Sequence, residues 1–225
     1  MKVTENIDHQ HNKIREKLLK KLISAALKDG FQQLRMDDIS KRMDVSRATM
    51  YKHFSSKEEV LEGVVDVYVD YINSLVIQTD EEGTEISYGT RFQFLFEQSV
   101  LLIRHIGSGF LKELQAIYPD SYSRLKDAMQ TREQQIAEFY RDGMARGIFN
   151  QLNEKFIILQ DDVLLREIIH VKYLMLNQAS IQQVLYDYYQ FKKIQLFKAD
   201  KLPLLDDSRI DPIIDHIVQK FNRAL

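Results

Sequence analysis

The stretch MDVSRATMYKHF, residues 43–54, decides how the N-terminal part of this chain folds. The segment before it, Asp37 to Met43, predicts a short helix, and Val45-Ser46 leads into a second helix of about two turns that ends near Phe54. Two short helices joined by a turn of three or four residues are typical of a helix-turn-helix. Met50 and Phe54 share one face of the second helix, and we expect them to pack on Ile39 and Met43.

The turn between the two helices has a departure from the usual helix-turn-helix pattern, which favours glycine where this chain has Asp44. Aspartate is one of the few residues that tolerate the left-handed backbone region, so we expect Asp44 to adopt it at a small strain cost. Val45 is the apolar residue of the turn and is expected to fill the gap between the helices. Ser46 is predicted to cap the second helix by accepting a backbone hydrogen bond.

The outward face of the second helix carries small, polar and cationic side chains. Ala48 and Lys52 lie opposite Met50 and Phe54, which is the arrangement expected of a helix that enters the major groove of DNA. Hydrogen-bond donors on and after this helix can reach phosphate groups, and these are Arg47, Tyr51, Lys52, His53 and Lys57. Ala48 and Thr49 can contact base edges or a thymine methyl group.

The charge distribution agrees with an anionic partner at the N-terminal end. Residues 1–57 carry 13 Lys and Arg against 7 Asp and Glu, whereas the remainder of the 225 residues carries 18 against 26. A basic segment joined to an acidic one suggests a polyanion that binds the first and not the second. The chain has no cysteine, which excludes disulfides and thiolate chemistry, and it has no apolar segment long enough to cross a membrane. We therefore expect a soluble, cytoplasmic protein.

The rest of the sequence predicts further helices and no convincing strand, so the predicted fold class is all-α with about ten helices. Asn153 is expected to cap a helix that continues to about Asn177, and Ser180 a helix to about Lys198. Both helices have apolar residues on more than one face, which indicates burial on two sides. A subunit interface is favoured for the second helix, and the candidate interface residues are Leu164, Ile168, Val171, Ile181, Leu185, Tyr186 and Tyr189.

The segment LRMDDISKRMDVSRATMYKHFSSKEEVL resembles the DNA-binding domain of the tetracycline-repressor (TetR) family of bacterial transcription regulators. The residues that carry the resemblance are Ile39, Val45-Ser46, Thr49-Met50-Tyr51, His53-Phe54 and Ser56-Lys57-Glu58. The resemblance implies that Arg47, Thr49, Tyr51, Lys52 and His53 contact the operator and that Lys57 holds a phosphate group at the start of the fourth helix. Ser40 replaces the usual alanine, and Arg35 replaces a threonine cap that Asp37 or Asp38 could compensate through the helix dipole.

The same resemblance implies a small-molecule cavity among the helices of residues 88–177. Aromatic side chains and three cationic or titratable ones are the candidates for its lining, although core packing is the favoured role for each of them, because aromatic residues at helical spacing usually build cores. They are Phe92, Phe96, Arg104, His105, Phe110, Phe139, Tyr140, His170 and Tyr173.

Several patterns that suggest catalysis or metal binding lack a necessary part. Ser46 and His53 have no nucleophile elbow beside them, so a hydrolytic triad is not supported. Glu167 and His170 have the spacing of a di-iron carboxylate motif, but a second copy of that motif is missing from the sequence. Asp161-Asp162 is half of an aspartate-rich motif, and His9 and His11 lie in what we expect to be an unstructured N-terminal arm. We expect no enzyme activity, no cofactor and no metal.

These observations and the resemblance predict a three-helix DNA-binding domain over residues 1–57. Residues 58–225 are predicted to be a helical bundle for effector binding and dimerisation, connected by a helix at about 57–78. The predicted function is a homodimeric regulator that binds a palindromic double-stranded DNA operator, most simply a repressor released by a small-molecule effector, with no membrane partner. The alternative is a DNA-binding protein of the same fold that acts through protein partners without an effector.

Overall fold

The computed structural model describes residues 2–26, 30–75 and 85–222, and this part of the chain is all-α. An isolated antiparallel bridge joins Phe149 to Phe197 within it. None of the described helices is long and apolar enough to cross a bilayer. The helices are α1 (Lys2–Ala26), α2 (Met36–Arg42), α3 (Arg47–Tyr51), α4 (Lys57–Ser74), α5 (Glu85–His105), α6 (Ser108–Ile117), α7 (Pro119–Ala145), α8 (Glu154–Ile168), α9 (Val171–Leu176), α10 (Ile181–Leu196) and α11 (Ile210–Asn222), with 3₁₀ segments at Ala199–Leu204 and Asp207–Arg209.

The chain divides into two compact units. The first holds the described residues up to Ser74 together with His105–Met129, and the second holds Leu75–Arg104 and the described residues from Gln130 onward. The first unit thus contains more than residues 1–57, since α4, α6 and the start of α7 belong to it. The assignment of DNA binding to residues 1–57 and of effector binding and dimerisation to 58–225 stays a prediction.

The first unit is built on apolar residues of α1 that recur at helical spacing. Leu18 and Leu22 are buried, together with Ile39 of α2, Met50 of α3 and Val64 of α4. Periodic apolar residues on a helix place one stripe against its neighbours and leave the opposite face in solvent. In the second unit the buried ring of Phe149 lies within 4.9–6.4 Å of four other aromatic rings, those of Tyr88, Phe139, Tyr140 and Phe197.

Two predicted elements differ from the observed ones. The single helix expected from Asn153 to about Asn177 is two helices, because α8 ends at Ile168 and α9 begins at Val171. His170 between them has an extended backbone, and its ring nitrogen accepts a hydrogen bond from Lys172 N, as an N-cap does. The N-terminal arm expected to be unstructured is helical, since α1 begins at Lys2.

Candidate DNA-binding interface

The predicted inward faces of the helix-turn-helix are confirmed. Ile39, Met43, Met50 and Phe54 are all fully buried. Their burial places the opposite side of α3 in solvent, because positions three or four apart on a helix share a face. The helix α3 is shorter than the predicted two turns, since it ends at Tyr51, although the backbone N–H groups of His53 and Phe54 still donate to the carbonyl of Met50.

The predicted left-handed turn residue is also confirmed, since Asp44 has φ +57°. The backbone N–H of Val45 donates to the carbonyl of Ser40 at 3.1 Å, which closes the turn after α2. The Asp44 carboxylate lies 3.1 Å from Lys21 Nζ of α1, but its side chain is 88% exposed, so this pair contributes little stability. The turn is therefore held by backbone geometry more than by charge.

The starts of α3 and α2 are each satisfied by a short polar side chain. Ser46 Oγ accepts a hydrogen bond from Thr49 N at 3.0 Å, as predicted for an N-cap. Arg35 has no side-chain capping bond, and Asp38 Oδ2 instead accepts from Arg35 N at 3.0 Å. The compensation expected from the acidic residues at the start of α2 is thus a direct hydrogen bond.

The predicted DNA-contacting residues of α3, together with Lys52, which follows it, are mostly exposed. Arg47, Ala48, Tyr51 and Lys52 are exposed, and Thr49 is half-buried. Arg47 Nε is 3.1 Å from Asp37 Oδ1, and its guanidinium stands 5.7 Å from the Tyr51 ring centroid. Its hydrogen bond to Tyr51, followed by the Asp37 charge, raises the Arg47 pKa above its ordinary value. Arg47 therefore contacts Asp37 and Tyr51 while 63% of its side chain stays exposed.

His53 follows α3 and contacts α1. Its Nδ1 is 3.0 Å from His11 Nε2, and Arg15 Nη1 donates to the His53 carbonyl. Burial lowers the pKa of His53, and the nearby charges of His11, Arg15 and Lys52 lower it further. Two imidazoles this close can share a hydrogen bond only while at least one of them is neutral.

Lys57 begins α4 and contacts the loop before α2. Its Nζ donates to the carbonyl of Gln32 at 2.6 Å and lies 5.2 Å from the centroid of the Phe31 ring. Ser56 Oγ accepts from Glu59 N at 3.2 Å, as an N-cap of α4 does. The Glu59 carboxylate reaches back to Ser55 N at 2.6 Å rather than to Ser56, so the reciprocal half of the capping box is displaced by one residue.

The nine candidate effector residues do not converge on one site. Phe92, Phe96 and Tyr140 line a cavity of about 20 Å³ in the second unit, and Phe139 is buried in the core of that unit. Phe110 is buried in the first unit, where His105 is exposed. Arg104 is half-buried against the Phe221 ring, His170 is exposed as the cap of α9, and Tyr173 is half-buried.

Four polar residues of the cavity were not among those candidates: Ser99, Asp161, Tyr188 and Lys192. The signal that could have found them is a lysine inside an apolar stripe. Lys192 stands four residues after Tyr188 on the stripe that also carries Val184 and Leu185. A lysine on the apolar face of a packed helix is buried with that face. A buried charge needs an opposite charge or a hydrogen-bond acceptor as its partner.

The candidate interface residues are divided between the surface and the core. Val171 and Tyr186 are exposed, and Leu164, Ile168 and Ile181 are half-buried. Leu185 and Tyr189 are fully buried inside their own chain, so they are not available to a partner. Besides Tyr186, the exposed large apolar side chains of α8 and α10 are Phe156, Leu159, Val163, Phe191 and Ile194.

Among the described residues, no group of three or more His, Asp or Glu side chains is arranged so that it could hold a metal ion. The side chain of His9 lies outside the described residues.

Comparison with known proteins agrees with this geometry. Residues 22–64 match the model of the bacterial regulatory proteins of the tetR family. The biofilm operon icaADBC HTH-type negative transcriptional regulator IcaR of Staphylococcus aureus (strain Newman) is 25% identical over 134 residues, which are 56% of this chain and 69% of the relative.

Solved structures share the fold at low sequence identity. A putative transcriptional regulator from Saccharomonospora viridis in complex with choline has a TM-score of 0.60 at 20% identity, covering 85% of this chain and 99% of that one. A TetR transcriptional regulator from Chloroflexus aurantiacus has a TM-score of 0.58 at 13% identity, covering 85% and 100%.

Proposed function

Because the chain belongs to the TetR family of non-enzymatic, DNA-binding transcriptional regulators, we propose that it acts in the cytoplasm as a homodimeric repressor. The proposed operator is a palindrome, and a small-molecule effector releases the repressor from it. The observation that carries the proposal is the exposed face of α3, with Arg47, Tyr51 and Lys52 in solvent opposite a fully buried apolar face. A helix of this kind suits the major groove.

The DNA contacts proposed for this face divide into two kinds. Arg47, Tyr51, Lys52 and His53 are proposed to hold phosphate groups, with Lys57 as a further phosphate contact at the start of α4. Ala48 and Thr49 are proposed to contact base edges. For Lys57 the contact requires its ammonium to leave the Gln32 carbonyl or to share its protons between the carbonyl and a phosphate.

Dimerisation is supported by the exposed apolar side chains of α8 and α10. Phe156, Leu159 and Val163 follow one another at helical spacing on α8 and are each more than half exposed. An exposed apolar surface of this kind marks a protein interaction site. In a twofold dimer the same surface of each chain contacts its copy, and the two α3 helices then read the two halves of a palindrome.

The small size of the cavity in the second unit favours a second candidate function, in which the protein regulates through protein partners without an effector. The volume of about 20 Å³ has room for about one water molecule. Effector binding would therefore need side chains around the cavity to move. Operator affinity measured with and without small molecules that occupy the cavity distinguishes the two functions, because the second predicts no change.

The experiment for DNA binding compares Lys52→Ala with Lys126→Ala, an exposed lysine on α7. Operator fragments are first selected from genomic DNA, and affinity is then measured across salt concentrations. Loss of one phosphate contact reduces the salt slope by about one in Lys52→Ala. Lys126→Ala is expected to keep the wild-type slope. Equal slopes in all three proteins would contradict the placement of the interface on α3.

A further inference from the structure

The second unit contains a buried ion pair beside the small cavity. Lys192 of α10 is 2% exposed, and its Nζ lies 2.5 Å from Asp161 Oδ1 of α8. Removing two charges from water costs several kcal/mol per ion, and apolar residues of similar volume often stabilise a fold as well or better. A buried ion pair at a cavity is thus an indication of a site that binds something, over and above its contribution to packing.

The carboxylate oxygens of Asp161 already accept hydrogen bonds from, or face, other side chains of the same chain. Tyr188 Oη donates to Oδ1, which also faces Lys192, and Tyr140 Oη donates to Oδ2 at 3.2 Å. A ligand that brought a cation or another donor would have to displace one of these three groups. The carboxylate therefore offers little to a ligand.

Lys192 differs from Asp161 in this respect. Its Nζ is buried, and the Asp161 carboxylate is the one acceptor close to it among the described residues. A buried ammonium carries three donors, so two of them are left without an acceptor, which costs free energy. Burial lowers the pKa of Lys192, while the Asp161 charge opposes that change. The ammonium thus has donors to offer to a group that enters the cavity.

The walls of the cavity are mostly apolar. Phe92, Leu95 and Phe96 of α5 and Leu165 of α8 line it, with Ser99 as a further polar group. Apolar walls with a few convergent polar groups are the usual composition of a small-molecule site. The apolar walls favour a ligand with an apolar body, and Lys192 favours a ligand that carries a hydrogen-bond acceptor.

We propose that this cavity binds a neutral, largely apolar small molecule, whose carbonyl or ether oxygen accepts a hydrogen bond from Lys192 Nζ. The neutral form follows from the charges at the cavity, because Lys192 and Asp161 already cancel and an anionic ligand would leave a net charge buried. A cationic ligand would face an occupied carboxylate. The ligand enlarges the cavity by moving the aromatic side chains that line it. This inference rests on the effector-responsive part of the proposed function and names the chemistry of the effector.

The experiment uses the full chain and four probes of similar size: acetophenone, ethylbenzene, benzoate and phenyltrimethylammonium. Binding is measured by ligand-detected NMR titration of the wild type, Lys192→Met and Lys193→Met, the last being a neighbouring lysine that pairs with Asp207 outside the cavity. Acetophenone is expected to bind the wild type most tightly. In Lys192→Met its affinity falls by about tenfold or more, which corresponds to one hydrogen bond to a charged group, whereas ethylbenzene binding does not fall.

Ser99→Leu is a second variant that fills the cavity and keeps the ion pair, so it serves if Lys192→Met does not fold. It is expected to abolish acetophenone binding. Tighter binding of benzoate or phenyltrimethylammonium, an unchanged acetophenone affinity in both variants, or no binding by any probe would each overturn the inference.

Operator affinity without a probe tests the proposed function separately. If the wild type binds its operator and acetophenone does not bind the protein, the inference fails and the DNA-binding proposal stands. If acetophenone binds as expected and saturation leaves operator affinity unchanged, the site stands and release through this cavity is contradicted.

Discussion

Arg15 Nη1 of α1 lies 2.6 Å from Glu59 Oε1 of α4, and the same arginine donates to the carbonyl of His53 after α3. Its guanidinium also stands 4.5 Å from the centroid of the buried Phe54 ring. Arg15 therefore joins three helical segments of the first unit at the end of the candidate recognition helix. The position of α3 depends on this contact as well as on the apolar core beneath it.

Because of the Glu59 carboxylate, we expect the free energy of unfolding to fall in acid. The backbone N–H of Ser55, and after it Arg15, lowers the Glu59 pKa from 4.5 to about 2. Because the folded pKa is depressed, the stabilisation is present above pH 4.5 and is lost as pH falls from there towards 2. Glu59→Gln should lower the free energy of unfolding at pH 7 by about 1 kcal/mol, since the pair is partly solvated. Urea unfolding monitored by circular dichroism, at pH 7 and across pH 5 to 2.5, measures both effects, with Glu58→Gln on the exposed face of α4 as the control.

Because of His53, we expect the free energy of unfolding to depend on pH in a second, higher range. Its pKa lies below 6.5 in the folded chain because of burial and then the charges of His11, Arg15 and Lys52. The unfolded chain therefore binds more protons just below pH 6.5, and stability falls as pH decreases through this region. The difference in the free energy of unfolding between pH 7.5 and 5.5 should shrink in His53→Gln. An exposed histidine, His105, provides the control as His105→Gln, and an undiminished difference in His53→Gln would contradict the prediction.

The left-handed backbone of Asp44 leads us to predict different stabilities for two small replacements at this position. At φ +57° a residue with a Cβ is strained, whereas glycine adopts this region without a steric cost. Asp44→Ala should therefore destabilise the chain by about 1 kcal/mol relative to Asp44→Gly. The comparison between the two variants removes the effect of losing the exposed pair with Lys21. Thermal unfolding gives the difference, and equal midpoints would show that the turn relaxes to a different backbone.

The exposed apolar surface of α8 predicts that a single charge breaks the dimer. Phe156 is 66% exposed, so Phe156→Asp leaves the core of its own chain intact. A carboxylate buried in a twofold interface has no partner there, and the dissociation constant should rise by about tenfold or more. Sedimentation velocity across concentrations measures it. Ile117→Asp, at an exposed apolar position on α6, is expected to keep the wild-type mass. If Phe156→Asp keeps that mass too, the proposed surface is not the interface.

The features that sequence analysis predicted correctly depend on residues close together in the chain. The cap at Ser46, the left-handed Asp44 and the burial of Met50 and Phe54 each follow from spacings of four residues or fewer. Such spacings decide backbone hydrogen bonds and helix faces whatever the rest of the fold does. The family model matches this same region, residues 22–64.

Other features were decided only by tertiary structure, because their cause lies far away in the chain. Tyr189 looked suited to a subunit interface, yet it is buried with Gln93, 96 residues earlier, as its hydrogen-bond partner. The charge pair of Asp161 and Lys192 joins two helices separated by α9, and periodicity alone does not bring them together. The amino-acid sequence by itself thus determined the helix-turn-helix and its outward face, since local hydrogen bonds and helical periodicity suffice for them. Packing between distant helices decided which apolar and charged residues of the second unit are core, which line the cavity and which remain at the surface.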